Sequence, residues 1–182
     1  MTDLADQNHR LRRFSRAMAR ITGLGILLMS AGTILIFALP DLTRSLLLAR
    51  LGGIGANLQI TPGRAIAGAA VMAVPIGVML YGMWQVRALF LDFAQGSVFT
   101  AATARRLRDF AAAVLLQAAL GPLSSTALLI AFTISNPPGS RQLGIALSIN
   151  DYIALIVGGV LLAVAWVMAE ATRIADENAS IV

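Results

Sequence analysis

The residues that could carry out chemistry are few, and they are not spaced for catalysis. The chain has no cysteine, and its single histidine, His9, stands alone in a polar N-terminal segment. Thiolate nucleophiles, disulfides and histidine–cysteine metal sites are therefore excluded. Hydroxyl groups cluster at Ser124, Ser125 and Thr126, but no base accompanies them, and interhelical hydrogen bonding explains such residues in an apolar helix. The sequence predicts no enzyme activity and no cofactor.

Glu170 is the most informative acidic residue, because it stands at the end of a long charge-free stretch. Arg87 and Asp109 border two other such stretches on the same predicted side of the protein. We predict an interhelical ion pair between Glu170 and Arg87 that fixes the register of the helices. The alternative is a carboxylate that couples transport to protons or cations, but that role favours a position nearer the middle of a membrane.

All 14 basic residues are arginine, and two groups of them could contact lipid or a protein partner. The first group lies in the N-terminal segment, where apolar residues recur at helical spacing beside it, as in a basic helix resting on a membrane. The alternative for both groups is a charge anchor that sets the orientation of the chain. The arginines lie beside apolar runs, so no nucleic-acid binding is predicted. The candidate contact residues are Arg13, Arg16, Arg20, Arg105, Arg106 and Arg108.

The elements that must position these residues are four transmembrane helices. The chain is 58% hydrophobic and 13% charged, with a mean hydropathy of +0.79, which leaves too little polar surface for a water-soluble globule. A hydrocarbon core about 30 Å thick is crossed by ~20 helical residues. We predict an all-α, integral membrane four-helix bundle that forms one domain over residues 1–182. Its spans are 21–39, 65–86, 110–133 and 152–169, with a cytoplasmic loop at 87–109.

The arginine distribution predicts the orientation of these spans. Ten of the 14 arginines fall in the N-terminal segment, the second loop and the C-terminal tail, and four fall in the other two loops. Cytoplasmic segments carry the excess of arginine in membrane proteins. We therefore predict a multi-pass protein of the inner membrane with both termini in the cytoplasm.

The connections also carry signals. The second span is predicted to continue as a helix through Phe93 and to stop at Gly96, and Thr100 is predicted to cap the next helix. The first loop has an apolar run within residues 42–51, and the sequence leaves open whether this run forms an interfacial helix.

Prolines and small residues mark two of the spans. Pro75 and Pro122 each stand inside a span and remove one backbone donor there, which predicts a kink. Small residues that recur every fourth position allow another helix to approach closely, either within the chain or in a homo-oligomer. Such residues are Ala65, Ala69, Ala73 and Gly77 in the second span, and Gly159 and Ala163 in the fourth.

Several motifs together resemble an uncharacterised bacterial membrane family, domain of unknown function 2975. They are GSVFT at 96–100, RRLR at 105–108, NPPG at 136–139, AWVMAEA at 165–171 and DEN at 176–178. Family members often have Glu-Asn where this chain has Ala102 and Thr103, and the first span is similar in hydropathy only. The resemblance implies a four-span inner-membrane protein with no established activity. It also implies a regulatory partner, because genes of the family often lie beside small helix-turn-helix regulators.

Two functions follow from these patterns. The first is a regulatory or scaffold protein that acts through contacts with a cytoplasmic regulatory protein or with the lipid bilayer. The second is a small oligomeric transporter or channel, supported by the two prolines and by Gln117 and its polar neighbours in the third span.

Overall fold

Four long helices make up the fold. The computed structural model describes residues 2–39, 41–42, 45, 62–133 and 148–179, and helix is the only regular secondary structure in these ranges. The helices are α1 (Thr2–Ala38), α2 (Pro62–Gln95), α3 (Ala101–Thr133) and α4 (Ile149–Ala179). Each contains one predicted span, apart from Leu39 at the end of the first. The prediction of an all-α membrane bundle of four helices is confirmed.

Each helix packs antiparallel against the helix that precedes it in the chain. The contacts of α1 with α2, of α2 with α3 and of α3 with α4 dominate, and those between helices further apart in the sequence are few. Glycines at the contacts show the register, since Gly23 meets Arg87, Gly82 meets Ala113 and Gly158 meets Leu115. The helices therefore follow one another in a row, with α2 and α3 in the middle.

The packing is inside-out compared with a water-soluble protein. Buried positions are dominated by small residues, such as Ala104, Ala111 and Ala165, whereas Leu27 and Ile34 are 68% and 70% exposed. Small residues at helix contacts and large apolar residues outside are expected where lipid is the solvent. All four helices are long and apolar enough to cross a membrane, over His9–Ala38, Ile66–Gln95, Ala101–Ala131 and Ile149–Asn178. The protein is therefore a multi-pass membrane protein.

The N-terminal segment is helical, as predicted, but it does not form a separate helix resting on the membrane. It continues without interruption into the first span, because residues 2–22 contain neither glycine nor proline that would end the helix. It packs along the extension of α2 instead: Ser15 and Ala19 are buried, and Arg12 reaches Gly96 in the turn after α2.

The turn between α2 and α3 has the predicted stop and start. Gly96 adopts a φ of +94°, and the amides of Gly96 and Ser97 donate to the carbonyls of Phe93 and Asp92 at 3.0 Å each, which is a Schellman motif. Thr100 then caps α3: the amide of Thr103 donates to Thr100 Oγ1 at 3.2 Å, and the amide of Thr100 donates to Thr103 Oγ1 at 3.1 Å. A threonine thus completes the capping box in this chain.

The remaining sequence features are the prolines and small residues within the spans, and two of the connections between spans. The helices continue through Pro75 and Pro122, both of which are buried, and the kinks at these residues stay a prediction. Two of the predicted small-residue positions are not used between these helices, since a Cβ added at Gly77 or Gly159 would meet no atom within 4 Å. A homo-oligomer that uses these positions stays a prediction. Of residues 42–51 the structure describes only Leu42 and Ser45, and the turn at 136–139 lies outside the described residues.

Candidate functional site

The predicted site residues gather at one end of the bundle, which we call the arginine-rich end (residues 9–20, 87–109 and 170–178). The antiparallel order brings both terminal segments and the turn at 96–100 to this end. All four helices extend here beyond their charge-free stretches, so the polar side chains are carried on helices and not on loose loops. Helices hold such side chains in a more precise arrangement than loops.

The predicted ion pair between Glu170 and Arg87 is wrong. Glu170 binds Arg173 within α4, with Arg173 Nη2 2.6 Å from Glu170 Oε1 and Arg173 Nε 3.1 Å from Glu170 Oε2. Arg87 instead lies over the ring of Trp84, 6.0 Å from its centroid, and beside Gly23 of α1. The reason is the order of the helices, because α3 lies between α2 and α4. The spacing i, i+3 from Glu170 to Arg173 was the signal that the sequence offered.

The ion pair that does cross between helices joins Asp92 of α2 to Arg106 of α3. Arg106 Nε lies 2.8 Å from Asp92 Oδ2, although its N–H bond is not aligned with that oxygen as a hydrogen bond requires. The side chain of Asp92 is 22% exposed and that of Arg106 is 37% exposed, so both are partly removed from solvent. Asp92 is the only acidic residue in α2, which was the available sequence signal. Arg106 thus has an ion-pair partner within the bundle, and its contact with lipid or protein stays a prediction.

A first groove runs between α1 and α2 and has a volume of about 760 Å³. Its polar part is formed by three arginines and its deeper part by Trp84 and aliphatic side chains, while Ala19 and Gly23 form a floor of small residues. Within the described part of the chain, no carboxylate lines this groove. The lining residues are Arg16, Ala19, Arg20, Gly23, Leu24, Ile26, Leu27, Trp84, Arg87 and Leu91.

A second groove, of about 740 Å³, runs between α3 and α4. It also has an exposed tryptophan, Trp166, which is 62% exposed, but its charges are mixed. Arg105, Arg108 and Arg173 face it together with Asp176 and Glu177, and Glu177 already binds Arg173 at 2.7 Å. The full lining is Ala101, Ala104, Arg105, Arg108, Ala165, Trp166, Ala169, Thr172, Arg173, Asp176 and Glu177.

The six arginines predicted as contact residues therefore separate into different environments. Arg16 and Arg20 line the first groove, and Arg105 and Arg108 line the second. Arg106 is paired with an acid, and Arg13 is exposed on α1 away from both grooves. Trp84 and Trp166 were not predicted as site residues, although Trp84 stands three residues before Arg87 and so on the same helix face.

A carboxylate also lies deeper in the bundle. Asp151 Oδ2 accepts from the amide and hydroxyl of Ser148 at 2.9 Å each, and the amide of Asp151 donates to Ser148 Oγ at 3.2 Å, so the two residues cap α4. The other oxygen, Oδ1, lies against Gly121, which is in the middle of the charge-free stretch of α3. The start of α4 is thus displaced along α3, and a residue predicted at the edge of one span lies beside the centre of another.

Comparison with known proteins gives a family. A family model described as a protein of unknown function, DUF2975, matches residues 40–182, which is more than three quarters of the chain. The chain belongs to this family. No curated protein and no solved structure matches the chain.

The DUF2975 match covers part of the arginine-rich end. It includes α2, α3 and α4, and with them the pair Asp92–Arg106, the capping box at Thr100 and the whole second groove. It excludes α1, so one wall of the first groove lies outside the DUF2975 match. The two grooves therefore differ in their relation to the family as well as in their charge.

Proposed function

We propose that this DUF2975 protein is a regulatory or scaffold protein of the bacterial inner membrane that binds a cytoplasmic protein in its second groove, and that it is not an enzyme. One observation carries the proposal: an exposed tryptophan, Trp166, lies in a groove whose arginines and carboxylates are fixed on two packed helices. Exposed aromatic residues and arginines are the common anchors of protein interfaces. The mixed charge of the groove suits a polypeptide, which can offer both signs, better than a phosphate.

The orientation of the protein is part of this proposal. The arginine-rich end carries ten of the chain's 14 arginines, and arginine accumulates on the cytoplasmic side. We expect a reporter that works only in the cytoplasm to be active when it is fused after Val182. A reporter that works only after export is expected to be inactive at the same position. Activity of an export-dependent reporter at that position would place the second groove outside the cell and would contradict the proposal.

The partner that fits the second groove has an apolar anchor for Trp166 and an acidic side chain nearby. Arg173 is already held by Glu170 and Glu177, at 2.6 Å and 2.7 Å. Arg105 and Arg108 are therefore the cations that remain to bind a partner, since Arg108 has only a loose 3.5 Å contact with Asp109. Each arginine–carboxylate contact that a partner forms there adds specificity to the apolar contact.

Site-specific crosslinking in cells tests this docking. A photoreactive amino acid at Ala169, which lines the second groove, is expected to capture a soluble protein, whereas the same probe at the exposed Ala163 of α4 is not. The double change Arg105→Glu and Arg108→Glu is expected to remove the crosslink, and Arg13→Glu, outside both grooves, is expected to preserve it. Capture of lipid alone, or of a second copy of this chain, would contradict the proposal. A crosslink that is as strong in the Arg105→Glu and Arg108→Glu double variant as in the Arg13→Glu control would also contradict it.

The alternative function, a small oligomeric transporter or channel, has one structural observation in its favour. The Asp151 carboxylate lies against the centre of the apolar stretch of α3, and ionisable residues at such depth often line ion pathways. Its hydrogen bonds to Ser148 already account for it as a cap of α4. Protein docking therefore remains the function that we propose.

A further inference from the structure

We propose that the first groove, between α1 and α2, is a binding site for one anionic phospholipid. The proposal uses neither the residues nor the partner of the second groove, so it goes beyond the function proposed above. It rests on the charge of the groove, on the order of its residues along the helices, and on its position at the border of the apolar stretches.

The charge of the groove fits a phosphate. Arg16, Arg20 and Arg87 converge from two helices, and none of the three has an ion pair with an acid in the described part of the chain. Arginine presents a planar set of N–H donors that matches phosphate oxygens. Three such cations without a carboxylate repel one another, so an anion between them stabilises the arrangement.

The order of the residues fits a lipid better than a free phosphate ion. Arg16 and Arg20 lie towards the arginine-rich end, and Arg87 follows at the level of Gly23. Trp84 of α2 and Leu27 of α1 lie further into the apolar stretches of their helices. A molecule in the groove therefore meets cations at one end and aliphatic side chains at the other. A phospholipid has this sequence of groups, with its headgroup at the interface and its acyl chains in the hydrocarbon.

Trp84 marks the border between the headgroup and the acyl chains. Trp84 is 59% exposed, and Arg87 lies over its ring at 6.0 Å. Tryptophan rings accumulate where hydrocarbon meets headgroups. The contact with Trp84 and the adjacent Gly23 holds the guanidinium of Arg87 at the groove instead of leaving it to extend into water.

The second groove provides an internal control for charge. It has nearly the same volume, an exposed tryptophan and three arginines, but Asp176 and Glu177 line it as well. Carboxylates repel a phosphate and occupy Arg173. Two variants that each lack two arginines of one groove have the same net charge. Only the variant of the first groove loses arginines from a cluster that contains no carboxylate.

Native mass spectrometry of the detergent-purified full chain tests the site. With phosphatidylglycerol as the anionic probe and phosphatidylcholine as the neutral one, we expect one phosphatidylglycerol to be retained preferentially. The change Arg20→Gln with Arg87→Gln is expected to weaken its retention at least about tenfold. The matched change Arg105→Gln with Arg108→Gln is expected to leave retention within about twofold.

Two outcomes would overturn the site. Equal losses in both double variants would show a response to net charge only, and unchanged retention in both would show that the first groove does not hold the lipid. If the first double variant did not elute as a folded protein, Arg20→Gln alone, which changes an exposed side chain of α1, would be judged by the same criteria. A loss of the protein crosslink at Ala169 with retention of lipid binding would separate this proposal from the proposed function.

Discussion

Replacing Gly158 by leucine is expected to disrupt the packing of α4 against α3. A Cβ at this position would lie 2.8 Å from Leu115 Cγ and 3.1 Å from the backbone nitrogen of Leu115, which is too close for ordinary packing. A side chain can move aside, but the α3 backbone cannot do so without separating the helices. Overpacking costs up to about 3 kcal/mol, so we expect the midpoint of thermal unfolding in detergent to fall by roughly 5–10 °C.

The neighbouring glycine is the matched control. A Cβ at Gly159 would meet nothing within 4 Å, so Gly159→Leu adds the same atoms one residue away without a clash. Leucine is also the better helix former by about 0.8 kcal/mol. We expect the Gly159 variant to melt at or slightly above the midpoint of the unchanged protein. Equal destabilisation by both variants would show that the register of α3 and α4 differs from the one described.

Breaking the pair Asp92–Arg106 is the second change with a large expected effect. Asp92→Ala leaves the guanidinium of Arg106 without its carboxylate. A buried group left without a partner costs about 1–3 kcal/mol, and because the Arg106 side chain is 37% exposed we expect the lower part of this range. Asp92→Arg adds repulsion and is expected to lower the melting midpoint further. The exchange Asp92→Arg with Arg106→Asp restores opposite charges and is expected to recover part of the loss, which thermal unfolding in detergent measures.

The exposed pair in α4 gives the comparison for this experiment. Glu170 and Arg173 are bonded at 2.6 Å, but their side chains are 56% and 60% exposed, and solvent screens exposed pairs strongly. Glu170→Ala is therefore expected to leave the melting midpoint unchanged. If Glu170→Ala destabilised the protein as much as Asp92→Ala, burial would not be what distinguishes the two pairs.

Features encoded within one helix were predictable from the sequence. The four apolar stretches, the stop at Gly96 and the cap at Thr100 depend on neighbouring residues only, and the structure confirms them. The helical extensions at the arginine-rich end follow from the same local rules. Orientation in the membrane and the functional partner stay predictions, because neither is a property of the helices themselves.

Features that depend on which helices are neighbours were not predictable in this way. Glu170 and Arg87 lie at similar levels in the sequence pattern, yet α3 separates their helices, and Glu170 found a partner one turn away in α4. The displacement of α4 along α3 likewise brings Asp151 to Gly121, although Asp151 stands at the edge of its own span. The sequence pattern gives the length of each apolar stretch but not its shift relative to the next one.

The row of helices has a consequence for how the protein is made. Nearly every interhelical contact joins a helix to the one synthesised just before it, so contact order is low and no helix must wait for a distant segment. Once α2 has left the ribosome it can pair with α1, and α3 and α4 can then add one at a time, so that the direction of translation is also the direction of assembly.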